Sequence, residues 1–212
     1  VMKHIAGDGG RQSPRNMERA MTTFTLHTDD TAPEASRERL SKVKKAWGFT
    51  PRLHAILAES PVALEAYDTL FGLVAQSTLT PVEQQVVYQA VNVFHGCEYC
   101  TAGHTFLSRQ AGMSEDAVQA LRNGGPIPDA RLETLRKLAE TVVRERGLAG
   151  DATVDAFIAA GFTRANVLDV VTIIATKTIS NYTNHLTKTP KEDFMADPAL
   201  AWTAPRNRAD AA

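Results

Sequence analysis

Apolar residues recur at helical spacing along most of the chain, and the breaks between apolar runs carry helix start and stop signals. Ser or Thr followed by Pro precedes an apolar run at Thr50-Pro51, Ser60-Pro61 and Thr80-Pro81, each an N-cap followed by the residue favoured at the first helical position. The third start is the strongest, because Thr80 and Glu83 also have capping-box spacing. Further helices are predicted at about 34–46, 115–123, 130–146, 152–160 and 164–188, with Gly112, Gly124, Gly147 and Gly161 near C-terminal ends. Gly96 separates a helix running from Pro81 to His95 from a second that begins at Cys97 and reaches about Gln110. No segment alternates cleanly over more than a few residues, so the predicted fold class is all-α. The last helix contains VLDVVTIIATKTI, with Asp169 and Lys177 as its only charges, which predicts a central or subunit-interface position. Its entry, FTRANVLDVV, loosely echoes LTPVEQQVV at 79–87, a hint of a duplicated hairpin that falls short of a repeat.

The ends lack this pattern. Residues 1–30 read as a poorly ordered leader, within which Met21 opens a more natural start; 31–200 read as one domain, and 201–212 as a fraying tail. At 212 residues and 43% hydrophobic, the chain can bury a full core. Its 23 basic and 24 acidic residues leave a formal charge of −1, which gives no field for nucleic acid. No stretch approaches the roughly 18 apolar residues of a membrane span, and no apolar block marks a signal peptide, so no membrane partner is expected and the compartment predicted is the cytoplasm.

In that reducing setting the chain's two cysteines stand out, because both lie in HGCEYCTAGH at 95–104. On a helix Cys97, Cys100 and His104 fall within about 60° of one another, and an i, i+3 pair can close a disulfide with little backbone movement. Helix-dipole stabilisation in the first turn favours a thiolate at Cys97, and an imidazole one turn beyond Cys100 can take its proton, so both thiols are candidates for activation. The spacing also suits zinc, with His95 or His185 as a further ligand. His4, His27 and His54 have no constellation around them.

The segments LTPVEQQVV, GCEYCTAGH and GMSEDAVQALRNG, within 79–124, resemble the carboxymuconolactone decarboxylase-like superfamily, in particular its alkylhydroperoxidase D-like branch. The resemblance implies an all-helical fold whose helix-turn-helix hairpin carries CxxCxxxH, a homo-oligomer (trimer or hexamer), and reduction of a hydroperoxide through a reversible disulfide. It further implies that Cys100 attacks the peroxide and Cys97 resolves the sulfenic acid, with electrons from an external thiol reductant. That branch has a proton-relaying glutamate twelve residues before the first cysteine, where this chain has Gln85. Glu83 lies two residues earlier, and capping alone or capping plus catalysis both fit it. Folding back at Gly96 sets His104 near Tyr88 and about one turn from Gln85. Tyr99 replaces the histidine often found before the second cysteine; it can contact a peroxide oxygen or simply pack, while Glu98 points off the reactive stripe. No glycine-rich phosphate loop is present, so no cofactor is implied. A decarboxylase-type lyase and a zinc-binding or redox-sensing helical protein are the alternatives.

Overall fold

A computed structural model describes residues 23–205. Met21, His4 and the rest of 1–22, with 206–212, lie outside the described residues. The described chain contains nine α-helices: α1 Glu34–Trp47, α2 Arg52–Leu57, α3 Pro61–Val74, α4 Pro81–His95, α5 Glu98–Gln110, α6 Glu115–Arg122, α7 Ala130–Arg144, α8 Asp151–Ala159 and α9 Arg164–Thr187. A 3₁₀ turn, Asp193–Ala196, follows. No strand is present among the described residues, so the all-α expectation holds.

Local signals explain most boundaries. Ser60 caps α3, and Thr80 and Glu83 close a reciprocal capping box on α4, with Thr80 Oγ1 accepting from the Glu83 N–H and Glu83 Oε2 from the Thr80 N–H. Thr163 and Asn166 build the same device on α9. Thr50 is a correction. The residue before a proline is pushed away from helical geometry, Pro51 itself stays extended at ψ 139°, and neither caps α2 with a side chain. Instead Glu192, far along the chain, accepts the Arg52 N–H at 2.6 Å and so satisfies the start of that helix.

α4 is the central element and packs on α5, α6, α7 and α9. One apolar cluster gathers Val86, Val87, Leu121, Leu135, Phe157 and Ile173 from α4, α6, α7, α8 and α9; another, under α1 to α3, holds Leu40, Leu53, Leu64 and Tyr67. The site lies where the two clusters meet. Gly96, at φ +67°, lets the chain reverse between α4 and α5, a conformation that a Cβ would strain. The predicted start of α5 shifts by one residue: Cys97 is the N-cap, with β-region dihedrals, and the helix proper begins at Glu98.

The stretch 201–205, expected to fray, is tied down. Trp202 is buried and donates through Nε1 to the Arg122 carbonyl at 2.7 Å, while Arg122 donates to the Leu200 and Ala201 carbonyls. The Ala204 N–H reaches Glu98 Oε1 at 3.2 Å. Glu98 therefore anchors the C-terminal segment, and its other oxygen pairs with Lys191 at 2.9 Å. At the opposite end, the His27 N–H donates to the Ala55 carbonyl and its ring contacts Glu59 at 2.7 Å, so residues 27–30 belong to the fold. No single described helix is long and apolar enough to cross a membrane.

Candidate active site

The reactive residues come from three helices. The start of α5 carries Cys97 and Cys100, both buried and both free thiols, with His104 one turn on. α4 supplies Gln85, Tyr88 and Asn92. α9 presents Lys177, Ser180, Asn181 and Asn184, a buried polar stripe at i, i+3/i+4, i+7.

The two thiols have opposite electrostatic fates. For Cys100, burial alone would raise the pKa, but hydrogen bonding from the Cys97 thiol, the positive charge of Lys177 and the amides of Asn181 and Asn184 outweigh it and hold the group well below an ordinary thiol. Asn184 Nδ2 lies 3.1 Å from Cys100 Sγ, and Ser180 Oγ lies 3.9 Å from it. Hydrogen bonding to Cys100 and burial raise Cys97, which stays a protonated donor. This corrects the expectation that the helix terminus would favour a thiolate at Cys97. As the N-cap, Cys97 makes no side-chain cap hydrogen bond, while Cys100 sits in the first turn and gathers the donors of α9.

Lys177 is the residue that sequence reasoning passed over. Only 1% of its surface is exposed, and no carboxylate of the described residues pairs with it. Its ammonium lies 3.1 Å from His104 Nε2 and 5.7 Å from the centre of the Tyr88 ring. An ammonium only donates, so Nε2 is the accepting nitrogen, and Nδ1–H donates to Gln85 Oε1 at 2.9 Å. Burial, then the charge of Lys177, keeps His104 far below the usual histidine range. The imidazole is therefore neutral with both nitrogens engaged, one by Lys177 and one by Gln85. The expected neighbours of His104 are present, with the Tyr88 ring tilted 34° against it at a centroid distance of 4.6 Å and Gln85 in direct contact.

Glu83 is not brought to the thiols. One carboxylate oxygen closes the capping box and the other accepts from Arg131 at 2.9 Å and 3.2 Å. Tyr99 does face the site, but its hydroxyl donates to Glu192 at 2.7 Å. His185 is exposed, and His95 stacks edge-on against Phe94 and Tyr182 away from the thiols. Among the described residues no three His, Cys, Asp or Glu side chains converge as a metal site requires, and the nitrogen that His104 turns toward the site faces a cation.

A cavity of about 830 Å³ opens above this centre. Cys100, His104 and Lys177 line it; Cys97 does not, and lies behind its partner. Aromatic side chains form much of the wall, including Trp47, Phe49, Phe71, Phe106 and Phe194. A small side chain matters at Gly103, where an added Cβ would stand 3.2 Å from Met195 Cε.

Fold and site together define an all-helical protein with two free thiols, one of which faces a cavity. The family model for the carboxymuconolactone decarboxylase family matches residues 61–141, which span α3 to most of α7. Over those residues the chain is similar to the carboxymuconolactone decarboxylase family, and its fold is one shared with an alkylhydroperoxidase AhpD core. Solved structures share its fold. The alkylhydroperoxidase AhpD core of an uncharacterized peroxidase-related protein from Ralstonia eutropha JMP134 superposes with a TM-score of 0.72 at 19% identity, covering 86% of this chain and 98% of that one. A peroxidase-related protein from Silicibacter sp. TM1040 gives 0.71 at 17% identity, with coverage of 87% and 99%. The debrominase Bmp8 gives 0.65 at 14% identity, with coverage of 84% and 94%. The comparison with curated proteins finds no match.

Proposed function

We propose that the protein is a cytoplasmic thiol peroxidase that reduces organic hydroperoxides through Cys100 and Cys97 and is regenerated by an external dithiol. The observation that carries this reading is the asymmetry of the pair: Cys100 faces the cavity as the favoured thiolate, and Cys97 waits behind it as a thiol. The thiolate attacks the terminal peroxide oxygen, the O–O bond breaks, and Cys100 becomes a sulfenic acid. The departing alkoxide takes a proton from the Lys177 ammonium, which lines the same cavity, and leaves as an alcohol. Cys97 then attacks the Cys100 sulfur and its proton leaves with the sulfenic hydroxyl, giving a disulfide and water. A dithiol reductant exchanges with that disulfide and is itself oxidised; of its two thiol protons, one goes to Cys97 and the other reprotonates Lys177 as Cys100 returns to its thiolate. Lys177 thus supplies proton transfer and charge where Gln85 cannot, and His104 and Gln85 hold it in line.

The reading extends to assembly. Leu168, Val171, Tyr182 and Leu186 are exposed along one face of α9, the surface on which further copies of a trimer or hexamer would pack.

Stopped-flow mixing of the reduced protein with a hydroperoxide, followed by intact mass after thiol alkylation, tests the proposal. Saturable oxidation that ends two mass units lighter with both thiols blocked supports it, as does a trappable sulfenic acid at Cys100 in Cys97→Ser. Oxidation no faster than a free thiol refutes it. A second reading has specific support, because a cysteine-to-alanine form of the debrominase Bmp8 is solved in complex with 2,3,4-tribromopyrrole and the cavity here is lined by aromatics. The same dithiol can supply two electrons and two protons to a halogenated ring, releasing hydrogen halide. Halide release from such a ring, matched mole for mole by disulfide, would favour it.

A further inference from the structure

Four large aromatic side chains stand unusually exposed for their size, Trp47 at 37%, Phe49 at 39%, Phe106 at 41% and Phe194 at 41%, and all four line the cavity that leads to Cys100. They form connected contacts: Phe194 lies 6.3 Å from Phe49 and 5.8 Å from Phe106 between ring centres, and Trp47 lies 6.0 Å from the deeper Phe71. Exposed aromatic surface concentrated at one opening marks a place where an apolar ligand completes the packing. Hydrogen peroxide has no surface to offer these rings.

The charges around the cavity select further. Glu192, Asp193 and Asp197 line it, while its one lining cation, Lys177, already faces the Cys100 thiolate. Glu192 accepts from Tyr99 and from the N–H of Arg52, and the Arg52 guanidinium lies 3.7 Å from Glu192 and 2.8 Å from Asp193, so these two carboxylates share one cation and, with Asp197, the wall keeps a negative excess. His54 also lines the cavity, buried against Tyr67 with ring centres 5.2 Å apart, and its Nδ1 has no hydrogen-bond partner. Burial keeps this ring neutral down to about pH 4, so it offers a dipole to an uncharged polar group but no cation to a carboxylate.

From these features we infer that the cavity takes an uncharged aryl hydroperoxide, its ring held by the aromatic rim with the O–OH group directed at Cys100, and discriminates against hydrogen peroxide and carboxylate-bearing peroxides. The inference rests on the peroxidase reading and narrows it to a substrate class.

The test uses the full chain, reduced. Second-order oxidation rates are measured with cumene hydroperoxide, hydrogen peroxide and para-carboxy cumene hydroperoxide, each divided by its rate with free cysteine. The expected normalised preference for cumene hydroperoxide over either alternative is about tenfold or more, the scale of one apolar contact or one mismatched polar group. Phe194→Ala and Phe106→Ala should each reduce the preference over hydrogen peroxide. Rates within about twofold across the three peroxides overturn the inference. Separately from turnover, the product alcohol 2-phenyl-2-propanol should slow alkylation of Cys100 by iodoacetamide, and tert-butanol at the same concentration should not. Equal protection by the two alcohols, or none, overturns aryl recognition. Protection by 2-phenyl-2-propanol with no peroxide reacting faster than a free thiol upholds aryl recognition and overturns the peroxidase reading instead.

Discussion

Replacing Lys177 by Met removes the one cation that faces Cys100 while keeping a side chain of similar length in the same packed position. Burial continues to oppose the thiolate and the opposing charge is gone, so the Cys100 midpoint moves upward. An opposite charge in direct proximity shifts a pKa by about 1–3 units, and a middle value of about 2 units sets the scale. Below both midpoints the thiolate population then falls about 100-fold. A more basic thiolate is also the better nucleophile, by about eightfold for 2 units at a Brønsted coefficient near 0.45. The two effects oppose each other, and the variant should react about twelvefold more slowly at low pH and about eightfold faster on the alkaline plateau. Iodoacetamide alkylation from pH 4 to 10, with peptide mapping of Cys100, gives both limbs, and the curves of parent and variant should cross. The sign for the parent follows from its lowered pKa: reactivity rises as pH climbs through a value below the ordinary thiol and is lost on acidification. A merely structural lysine would lower the urea midpoint and leave the alkylation midpoint where it was. That result would refute the proposed role, because removal of a buried cation with no carboxylate partner is expected to be neutral or stabilising.

The same charge sets the redox balance, since Lys177 stabilises the reduced, thiolate form and loses its counter-charge in the disulfide. Lys177→Met should therefore lower the reduction potential by about 30 mV for each pKa unit by which the thiolate is destabilised, measured against a glutathione or thioredoxin couple. Glu83→Ala should lose the capping-box bond and the Arg131 pair, costing about 1–2 kcal/mol in urea unfolding, with the peroxide oxidation rate unchanged; a rate loss of tenfold or more would return Glu83 to the chemistry. Acidification should destabilise the fold. Buried His54 and His104 resist the protons that the unfolded chain binds, so stability is complete above the ordinary histidine value of about 6.5 and declines as pH falls toward about 4, by up to about 1.4 kcal/mol per pH unit for each group. His54→Phe should flatten part of that decline between pH 7 and pH 5, and an unchanged slope would show that His54 is not held neutral.

What could be read from the sequence was whatever local chemistry decides. The capping box of α4, the glycine reversal at Gly96 and the hairpin that carries Cys97, Cys100 and His104 depend on residues within a few positions of one another. Thr50 misled because the satisfaction of α2 comes from Glu192, 140 residues away from Arg52. The sequence leaves both thiols open to activation for a related reason: a helix terminus is a local feature, whereas the groups that favour Cys100 lie far downstream on α9, with Asn184 84 residues away. The signal was present. Lys177, Asn181 and Asn184 repeat at helical spacing directly after the apolar run VVTIIAT, and a polar stripe continuing a buried face needs a buried partner.

Gln85 and Lys177 are best understood as two parts of one arrangement. A carboxylate at position 85 would accept from His104 Nδ1–H and favour protonation of the ring, which would place a second cation against Lys177. A neutral amide accepts the same hydrogen bond without that charge, so His104 remains an acceptor for the lysine and Lys177 keeps its field directed at Cys100. The glutamine is then a requirement of a lysine-centred site. Among the described residues it leaves the proton with the one cation that lines the cavity and opposes the Cys100 thiolate, where the proposed peroxidase reaction would release its alkoxide.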